Sequence, residues 1–356
     1  MHGTTIGGRR VAPQATARSQ VEQAALGRPR PTDRPARSNA LDAIRAIACL
    51  MVIVCHVSLY RGNGDLVGLQ NGVMLFFGLS GYLLYRPFMT GDVDLRQYAI
   101  HRVARIAPAY LIALVGVSAL AGDSTFHREP LTYLMFLQSY DPDLWQGFLG
   151  VSWTLVIEVM FYLTLPVLAV VVARSPWRLA IIAIASFLVA VAILGFVPGG
   201  DPKQQSSIFP AMIWVFTPGM FVAVMQGRMS WAARPATLAF GIALLLFGTM
   251  SYWASVDLPS AFGTFLIVGW AVERRPALGP LASPAAVGAA LTYSVYLWHV
   301  DFLKAIEGPP TALLVTIAVA SALYITVERP AIRLGRRLAR GIPAPSTSVS
   351  VAVTQA

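Results

Sequence analysis

The sequence is divided by stretches of predominantly apolar residues, and each is close to the roughly 20 residues that a helix needs to cross a bilayer. Polar residues lie mostly in short connections between these stretches, with one longer connection from Gly122 to Gly150. The pattern predicts an all-α fold: a polytopic transmembrane helical bundle of about ten spans. The predicted spans cover residues 41–60, 72–89, 105–121, 151–173, 177–197, 208–226, 232–252, 257–272, 285–306 and 310–327.

The composition agrees with a membrane protein and excludes other classes. Hydrophobic residues make up 56% of the chain and charged residues 12%, which leaves too little polar surface to cover a soluble globule of 356 residues. The net charge of +10 would fit nucleic-acid binding, but the arginines punctuate the apolar segments and form no single basic face. We therefore expect no nucleic-acid partner.

The positions of the basic residues predict the orientation, because Lys and Arg are retained on the cytoplasmic side of membrane proteins. With a cytoplasmic N-terminus and ten spans, only Arg61, Arg128, Lys203 and Lys304 fall outside, so 23 of the 27 Lys and Arg lie inside. Both termini are then cytoplasmic. The preference for Arg over Lys is typical of GC-rich bacterial genes, so we expect a multi-pass protein of the bacterial inner (plasma) membrane.

Three regions follow from this layout. Residues 1–39 lack apolar periodicity and are predicted to be a disordered cytoplasmic tail, although their Arg-rich, acid-poor composition also fits an organellar transit peptide. Residues 40–340 form the transmembrane domain, and residues 341–356 are predicted to be a disordered C-terminal tail. Cys49 and Cys55 have neither disulfide nor metal spacing and are predicted to be buried small side chains.

Ionisable residues inside spans are costly and usually face a partner or a cavity. Arg45 and His56 are eleven residues apart on the first span, about 1100° around a helix, so they share a face and lie about 16 Å apart along it. Glu158 on the fourth span and His299 on the ninth fall in the same outer layer as His56. A carboxylate at this depth needs a partner, and an imidazole is the obvious one.

Arginines form a second layer at the cytoplasmic side. Arg102 and Arg105 are one turn apart and can hold phosphate oxygens in bidentate fashion, although any cytoplasmic helix end collects arginine. Arg45 and Arg86 fall at the same depth. Glu328 and Arg329 are predicted to form an ordinary surface pair. Cations at the cytoplasmic side and proton-transfer groups toward the outer side indicate a transferase whose donor substrate carries phosphate groups.

At these residues the chain resembles the membrane-bound acyltransferase-3 family, whose members O-acylate surface sugars, lipids and some secreted small molecules. The resemblance runs from Leu41 to Pro330 and rests on six motifs in the family's order. These are LDAIRAIACLMVIVCH, GVMLFFGLSGYLL, RVAR, WTLVIEVMFYLTLP, YSVYLWH and VERP. Many members carry a soluble esterase-like domain after the spans, and we expect none here.

The resemblance implies the roles of the site residues. His56 would be the catalytic base or a transient acyl carrier, and Glu158 would orient it or the acceptor. The acyl-CoA phosphates would be bound by Arg45, Arg102, Arg105 and Arg86, and supporting roles would fall to His299, Ser80, Trp153 and Tyr162. The helices around Ser80 are also expected to pack closely, because Gly78 and Gly81 flank it.

The expected reaction is transfer of an acetyl or other short acyl group from cytoplasmic acyl-CoA, with acetyl-CoA as the foremost co-substrate. The acceptor would be a hydroxyl of an envelope glycan or glycolipid at the outer face, or of a secreted small molecule. No metal and no permanently bound cofactor are expected, and membrane lipid is the surrounding partner. The alternative is a transporter or flippase of an anionic lipid-linked substrate, which would not consume acyl-CoA.

Overall fold

The computed structural model describes residues 39–62, 64–91, 93–122, 125–145, 147–196, 204, 208–248 and 256–341. These residues form helices and connections and contain no β-strand. The predicted tails lie outside the described residues except for Asn39 and Gly341, so they stay predictions. The main helices are α1 (Asn39–Tyr60), α2 (Gly72–Thr90), α3 (Leu95–Ala121), α4 (Trp153–Val172), α5 (Pro176–Phe196), α6 (Thr217–Met225), α7 (Pro235–Phe247), α8 (Leu258–Arg274), α9 (Ala282–Ala305), α10 (Pro309–Leu323) and α11 (Arg329–Arg340).

Within the described ranges, six helical stretches are long and apolar enough to cross a membrane, which confirms six of the ten predicted spans. They are Asn39–Tyr60, Val67–Met89, Leu95–Leu120, Gly150–Val172, Pro176–Phe196 and Pro309–Arg340. In the other four predicted spans, α6, α7 and α8 have 9, 13 and 17 residues. Helix α9 has 24 residues but carries polar side chains along its length. The ten-span count stays a prediction.

Helix α3 begins ten residues before the predicted third span. Asp94 caps it by accepting hydrogen bonds from the backbone N–H groups of Arg96 and Gln97, at 2.9 and 3.2 Å. The prediction from apolar residues placed the start of this helix too late, because its first turns carry arginines. Arg102 and Arg105 therefore lie about two and three turns inside the helix, where their side chains contact neighbouring helices.

Glycines allow α2 and α6 to approach one another closely, as the sequence predicted for the second span. A Cβ atom on Gly78 or Gly81 would meet Thr264 or the backbone of Phe216, and one on Gly219 would meet the backbone of Gly78. Without a hydrophobic driving force in lipid, such close backbone contacts supply much of the attraction between helices. This packing buries Ser80, which is 7% exposed.

Two prolines open hydrogen-bonding positions on the helix backbones. Pro166 in α4 has no N–H, so the carbonyl of Tyr162 loses its partner within the helix. The Tyr98 hydroxyl of α3 donates to this carbonyl at 3.1 Å. Pro108 interrupts α3 in the same way. Polar side chains from neighbouring helices therefore satisfy backbone groups that lipid could not.

The two cysteines are buried and are not joined in a disulfide, as predicted: Cys49 and Cys55 both lie on α1. Helix α5 instead exposes large apolar side chains, among them Ile181, Ile184 and Leu188. Exposed leucine and isoleucine on one helix are what a lipid-facing surface requires. The polar residues considered below lie on α1, α2, α3, α4 and α9 and on the segment between α10 and α11.

Candidate active site

Two histidines from different helices meet inside the bundle. His56 on α1 and His299 on α9 lie with His56 Nδ1 3.1 Å from His299 Nε2. Their ring centroids are 4.9 Å apart and the ring planes cross at 63°. His299 is fully buried and His56 is partly buried. The sequence placed both residues in one layer, and the structure brings them into direct contact, here named the imidazole pair.

Backbone carbonyls define the protons of the imidazole pair. His56 Nδ1 lies 2.9 Å from the carbonyl oxygen of Val52, and His299 Nδ1 lies 2.8 Å from that of Tyr296. We assign a hydrogen to both Nδ1 atoms, because a carbonyl oxygen only accepts. His299 Nε2 then accepts from the same His56 Nδ1–H that faces Val52. In a neutral His56 the lone pair is on Nε2, the nitrogen that a general base would use.

Glu158 has different partners from those that the sequence predicted. Its Oε1 atom accepts hydrogen bonds from the hydroxyls of Ser80, at 2.9 Å, and Tyr162, at 2.7 Å. The expected carboxylate–imidazole contact is therefore replaced by two hydroxyl donors and by the contact between the histidines. Ser80 donates its hydroxyl proton to Glu158, and it lies where the sequence predicted close helix packing. The catalytic role of Glu158 stays a prediction.

Arg102 lies against two tyrosine rings. Its guanidinium carbon is 5.7 Å from the centroid of Tyr98 and 5.6 Å from that of Tyr162. Such contacts stabilise a cation by about 0.5–2 kcal/mol each. The Nε atom of Arg102 is buried and has no hydrogen-bond partner among the described residues. The side chain is thus held in place by the rings of α3 and α4.

Glu328 is not the surface residue that the sequence predicted. It is 1% exposed, and its Oε2 atom lies 2.9 Å from Arg105 Nη1 in an ion pair. Its Oε1 atom accepts a hydrogen bond from the Ser294 hydroxyl. The prediction paired Glu328 with Arg329, which is instead exposed. The sequence did not predict this ion pair because Arg105 and Glu328 are 223 residues apart. Both residues nevertheless lie in motifs identified from the sequence, Arg105 in RVAR and Glu328 in VERP.

The other predicted arginines lie in two places. Arg45 lies close enough to Arg105 and Glu158 for their charges to act on it. It therefore belongs to the same region of the bundle as the two arginines of α3. We call Arg45, Arg102 and Arg105 the arginine layer. Arg86 lies at the end of α2 with its guanidinium carbon 6.0 Å from the ring centroid of Tyr82.

A residue pair that sequence reasoning missed connects α4 to the imidazole pair. Thr154 donates a hydrogen bond to the Tyr296 hydroxyl at 2.9 Å, and the backbone carbonyl of Tyr296 is the group that fixes His299. Trp153 begins α4, and its ring lies 6.0 Å from that of Trp145. Thr154 follows Trp153 in the motif WTLVIEVMFYLTLP. Membership of this motif was the feature of the sequence that could have identified Thr154.

Over the ranges that the structure describes, no group of three or more His, Cys, Asp or Glu side chains is arranged to hold a metal ion.

Comparison with known proteins identifies the family. The acyltransferase-3 family, described as an acyltransferase domain, matches residues 38–327, which is most of the chain. The exopolysaccharide production protein ExoZ of Rhizobium meliloti is 26% identical over 313 residues, covering 79% of this chain and 95% of that protein. Nodulation protein 10 of Rhizobium leguminosarum is 25% identical over 358 residues, covering 83% of this chain and 94% of its own.

A third relative carries an additional region. The peptidoglycan O-acetyltransferase OatA of Listeria monocytogenes is 28% identical over 313 residues, which are 73% of this chain but 48% of OatA. No solved structure matches the chain. The matched residues, 38–327, contain the imidazole pair and the arginine layer. This chain is therefore a membrane protein of the acyltransferase-3 family.

Proposed function

We propose that the protein transfers an acetyl or other short acyl group from cytoplasmic acyl-CoA to a hydroxyl of an envelope glycan or glycolipid at the outer face. The proposal includes ten spans, both termini in the cytoplasm and a place in the bacterial inner membrane. The arginine distribution along the sequence supports this orientation. Several relatives are named as O-acetyltransferases, including one for peptidoglycan and one from Shigella phage Sf6.

The observation that carries the proposal is the imidazole pair. Histidines between the helices of a membrane protein are energetically costly, and such residues usually mark functional sites. The Val52 and Tyr296 carbonyls fix both Nδ1 protons, so His56 Nε2 is the basic nitrogen of the pair. This arrangement resembles a base held in one tautomer by a second group, which is the usual architecture for activating a hydroxyl.

The transfer step follows from this assignment. His56 Nε2 takes the proton of the acceptor hydroxyl while the hydroxyl oxygen attacks the thioester carbonyl carbon. The carbon–sulfur bond breaks, the CoA thiolate leaves, and an ester forms on the acceptor. Positive charge that develops on His56 is stabilised because its Nδ1–H donates to His299 Nε2 and to Val52. An alternative order, in which His56 first carries the acyl group, uses the same atoms.

In this proposal, the arginine layer binds the phosphate groups of acyl-CoA, the acyl donor. A guanidinium presents several N–H donors in a rigid fork that matches phosphate oxygens. Arg102 and Arg105 are held by tyrosine rings, so less side-chain entropy is lost when a phosphate binds. Arg45 and His56 share a face of α1 about 16 Å apart along its axis. A donor bound by its phosphates at the arginine layer would reach the imidazole pair with its thioester.

Sided membrane vesicles test the proposal. Inverted vesicles from cells that contain the protein expose the cytoplasmic face, and acetyl-CoA does not cross the membrane. With labelled acetyl-CoA outside, we expect alkali-labile label on luminal glycan or lipid and release of free CoA. Vesicles from cells lacking the protein should show neither.

Two outcomes would count against the proposal. Label that appears only when acetyl-CoA is supplied to right-side-out vesicles would reverse the orientation. A protein that moves a lipid-linked substrate across the membrane without consuming acetyl-CoA would be a transporter, and the enzymatic account would fail.

A further inference from the structure

A buried network joins three parts of the fold beside the arginine layer. Glu328 accepts from Arg105 of α3 on one carboxylate oxygen and from Ser294 of α9 on the other. Glu328 is 1% exposed and Ser294 is fully buried. Both carboxylate oxygens are thus hydrogen-bonded, one of them to a cation. A buried carboxylate is tolerated only with such partners, because desolvation disfavours its charge.

The backbone around Glu328 is itself unusual. Residues Tyr324–Glu328 form one turn of π-helix between α10 and α11, and Glu328 is its last residue. A π-turn inserts one residue, which rotates the following side chains by about 100° relative to an uninterrupted α-helix. Glu328 consequently points into the bundle, whereas the next residue, Arg329, is exposed. Single π-turns of this kind are frequent at functional sites.

Arg105 is held on two sides by this arrangement. Its Nη1 atom pairs with Glu328, and its guanidinium carbon lies 5.5 Å from the ring centroid of Tyr293. The Tyr293 hydroxyl in turn donates to the backbone carbonyl of Ile106 at 2.9 Å. Arginine has five N–H donors, so a side chain that gives Nη1 to Glu328 keeps donors for a phosphate. The Arg105 side chain as a whole is 24% exposed, so a ligand can reach part of it.

We propose that Glu328 is a positioning residue for the acyl donor, orienting Arg105 so that its remaining donors meet the phosphate groups of acyl-CoA. This inference rests on the proposed function. Helix α9 carries both Ser294 and His299, five residues or about 7.5 Å apart along its axis. The Glu328 network therefore also sets the height of Arg105 relative to the imidazole pair.

Two physical accounts of Glu328 give opposite predictions. If Glu328 only neutralised Arg105, its removal would leave more positive charge and would tighten the binding of a phosphate. If Glu328 positions Arg105, its removal frees the guanidinium to adopt other rotamers and weakens the binding of the donor. The apparent KM for acetyl-CoA separates the two accounts.

The test is Glu328→Gln in the inverted-vesicle assay, with Glu307→Gln as the matched control. Glu307 is exposed in the connection between α9 and α10. We expect Glu328→Gln to raise the KM for acetyl-CoA about tenfold with kcat changed less than about threefold, since one of several phosphate contacts is misplaced. The control should keep both wild-type values. An unchanged or lower KM in Glu328→Gln would overturn the inference.

Further variants separate positioning from a purely structural role. The exchange Arg105→Glu with Glu328→Arg restores the ion pair but moves the guanidinium to another helix. We expect it to recover the thermal stability lost in Glu328→Gln without recovering the KM. Recovery of both would show a structural clamp and would overturn the inference.

Ser294→Ala keeps the charges of Arg105 and Glu328, so it can test the inference if the other variants do not fold. It removes one hydrogen bond to Glu328, and we expect a rise in KM of about threefold in the same direction. No rise in a folded Ser294→Ala protein would overturn the inference. Wild-type vesicles without acetyl-CoA turnover would instead overturn the proposed function, which is a separate result.

Discussion

The imidazole pair and the arginine layer are both polar sites inside one apolar bundle, but they satisfy their groups in different ways. At the imidazole pair, each ring bonds to the other ring and to a backbone carbonyl. At the arginine layer, cations meet tyrosine rings and the buried carboxylate of Glu328. The first arrangement fixes a tautomer and leaves a basic nitrogen. The second fixes cations in place for an anionic ligand.

This difference separates the expected effects of mutations. A change at the imidazole pair should lower kcat, because it affects the group that moves the proton. A change at the arginine layer should raise the KM for the donor, because it affects binding of the phosphates. Mixed effects at both places would mean that the two sites are not functionally distinct.

The largest effect among the supporting residues is expected at His299. His299→Ala removes the acceptor for His56 Nδ1–H, and misorientation of the base should lower kcat about tenfold to a hundredfold with little change in KM. His299→Gln can present an amide oxygen at a similar distance and should recover part of the loss. Equal losses in both variants would show that His299 does not act as an acceptor for His56.

A smaller effect is expected when Arg102 becomes lysine. Lysine keeps the charge but lacks the planar fork that lies between Tyr98 and Tyr162, so the KM for acetyl-CoA should rise about tenfold at nearly constant kcat. Arg128→Lys, at an exposed position in the long loop, is the matched control and should match wild type. A fall in kcat alone would assign Arg102 to the chemical step.

The smallest effect is expected from Tyr98→Phe. This change removes the donor to the Tyr162 carbonyl that Pro166 leaves open, which should lower the stability by about 1 kcal/mol. Tyr140→Phe is a useful comparison, because the exposed Tyr140 hydroxyl lies 3.4 Å from the Phe209 carbonyl. Thermal unfolding in detergent should rank Tyr98→Phe below Tyr140→Phe, and equal midpoints would contradict the assignment.

The sequence predicted those features that depend on a single helix. Spacing alone put Arg45 and His56 on one face of α1, and small residues marked the face of α2 that packs on α6. The family motifs then identified the α3 arginines and His299.

Contacts between helices could not be predicted in the same way. A shift of one residue turns a side chain by about 100°, so the facing residue depends on how two distant helices are rotated. His299 was expected only to support His56, yet it contacts it directly. Glu328 was expected at the surface because it follows the predicted end of the last span at residue 327, whereas the helix continues and its π-turn sets the direction of Glu328.

The account depends most on His56 as the group that moves the proton. His56→Ala and the control His127→Ala, a histidine of the long loop that contacts Ser118, should both insert and fold. In inverted vesicles we expect His56→Ala to lower acetyl transfer about a thousandfold or more, as loss of a general base would, while His127→Ala keeps wild-type turnover. Transfer by folded His56→Ala within about tenfold of wild type would contradict the account.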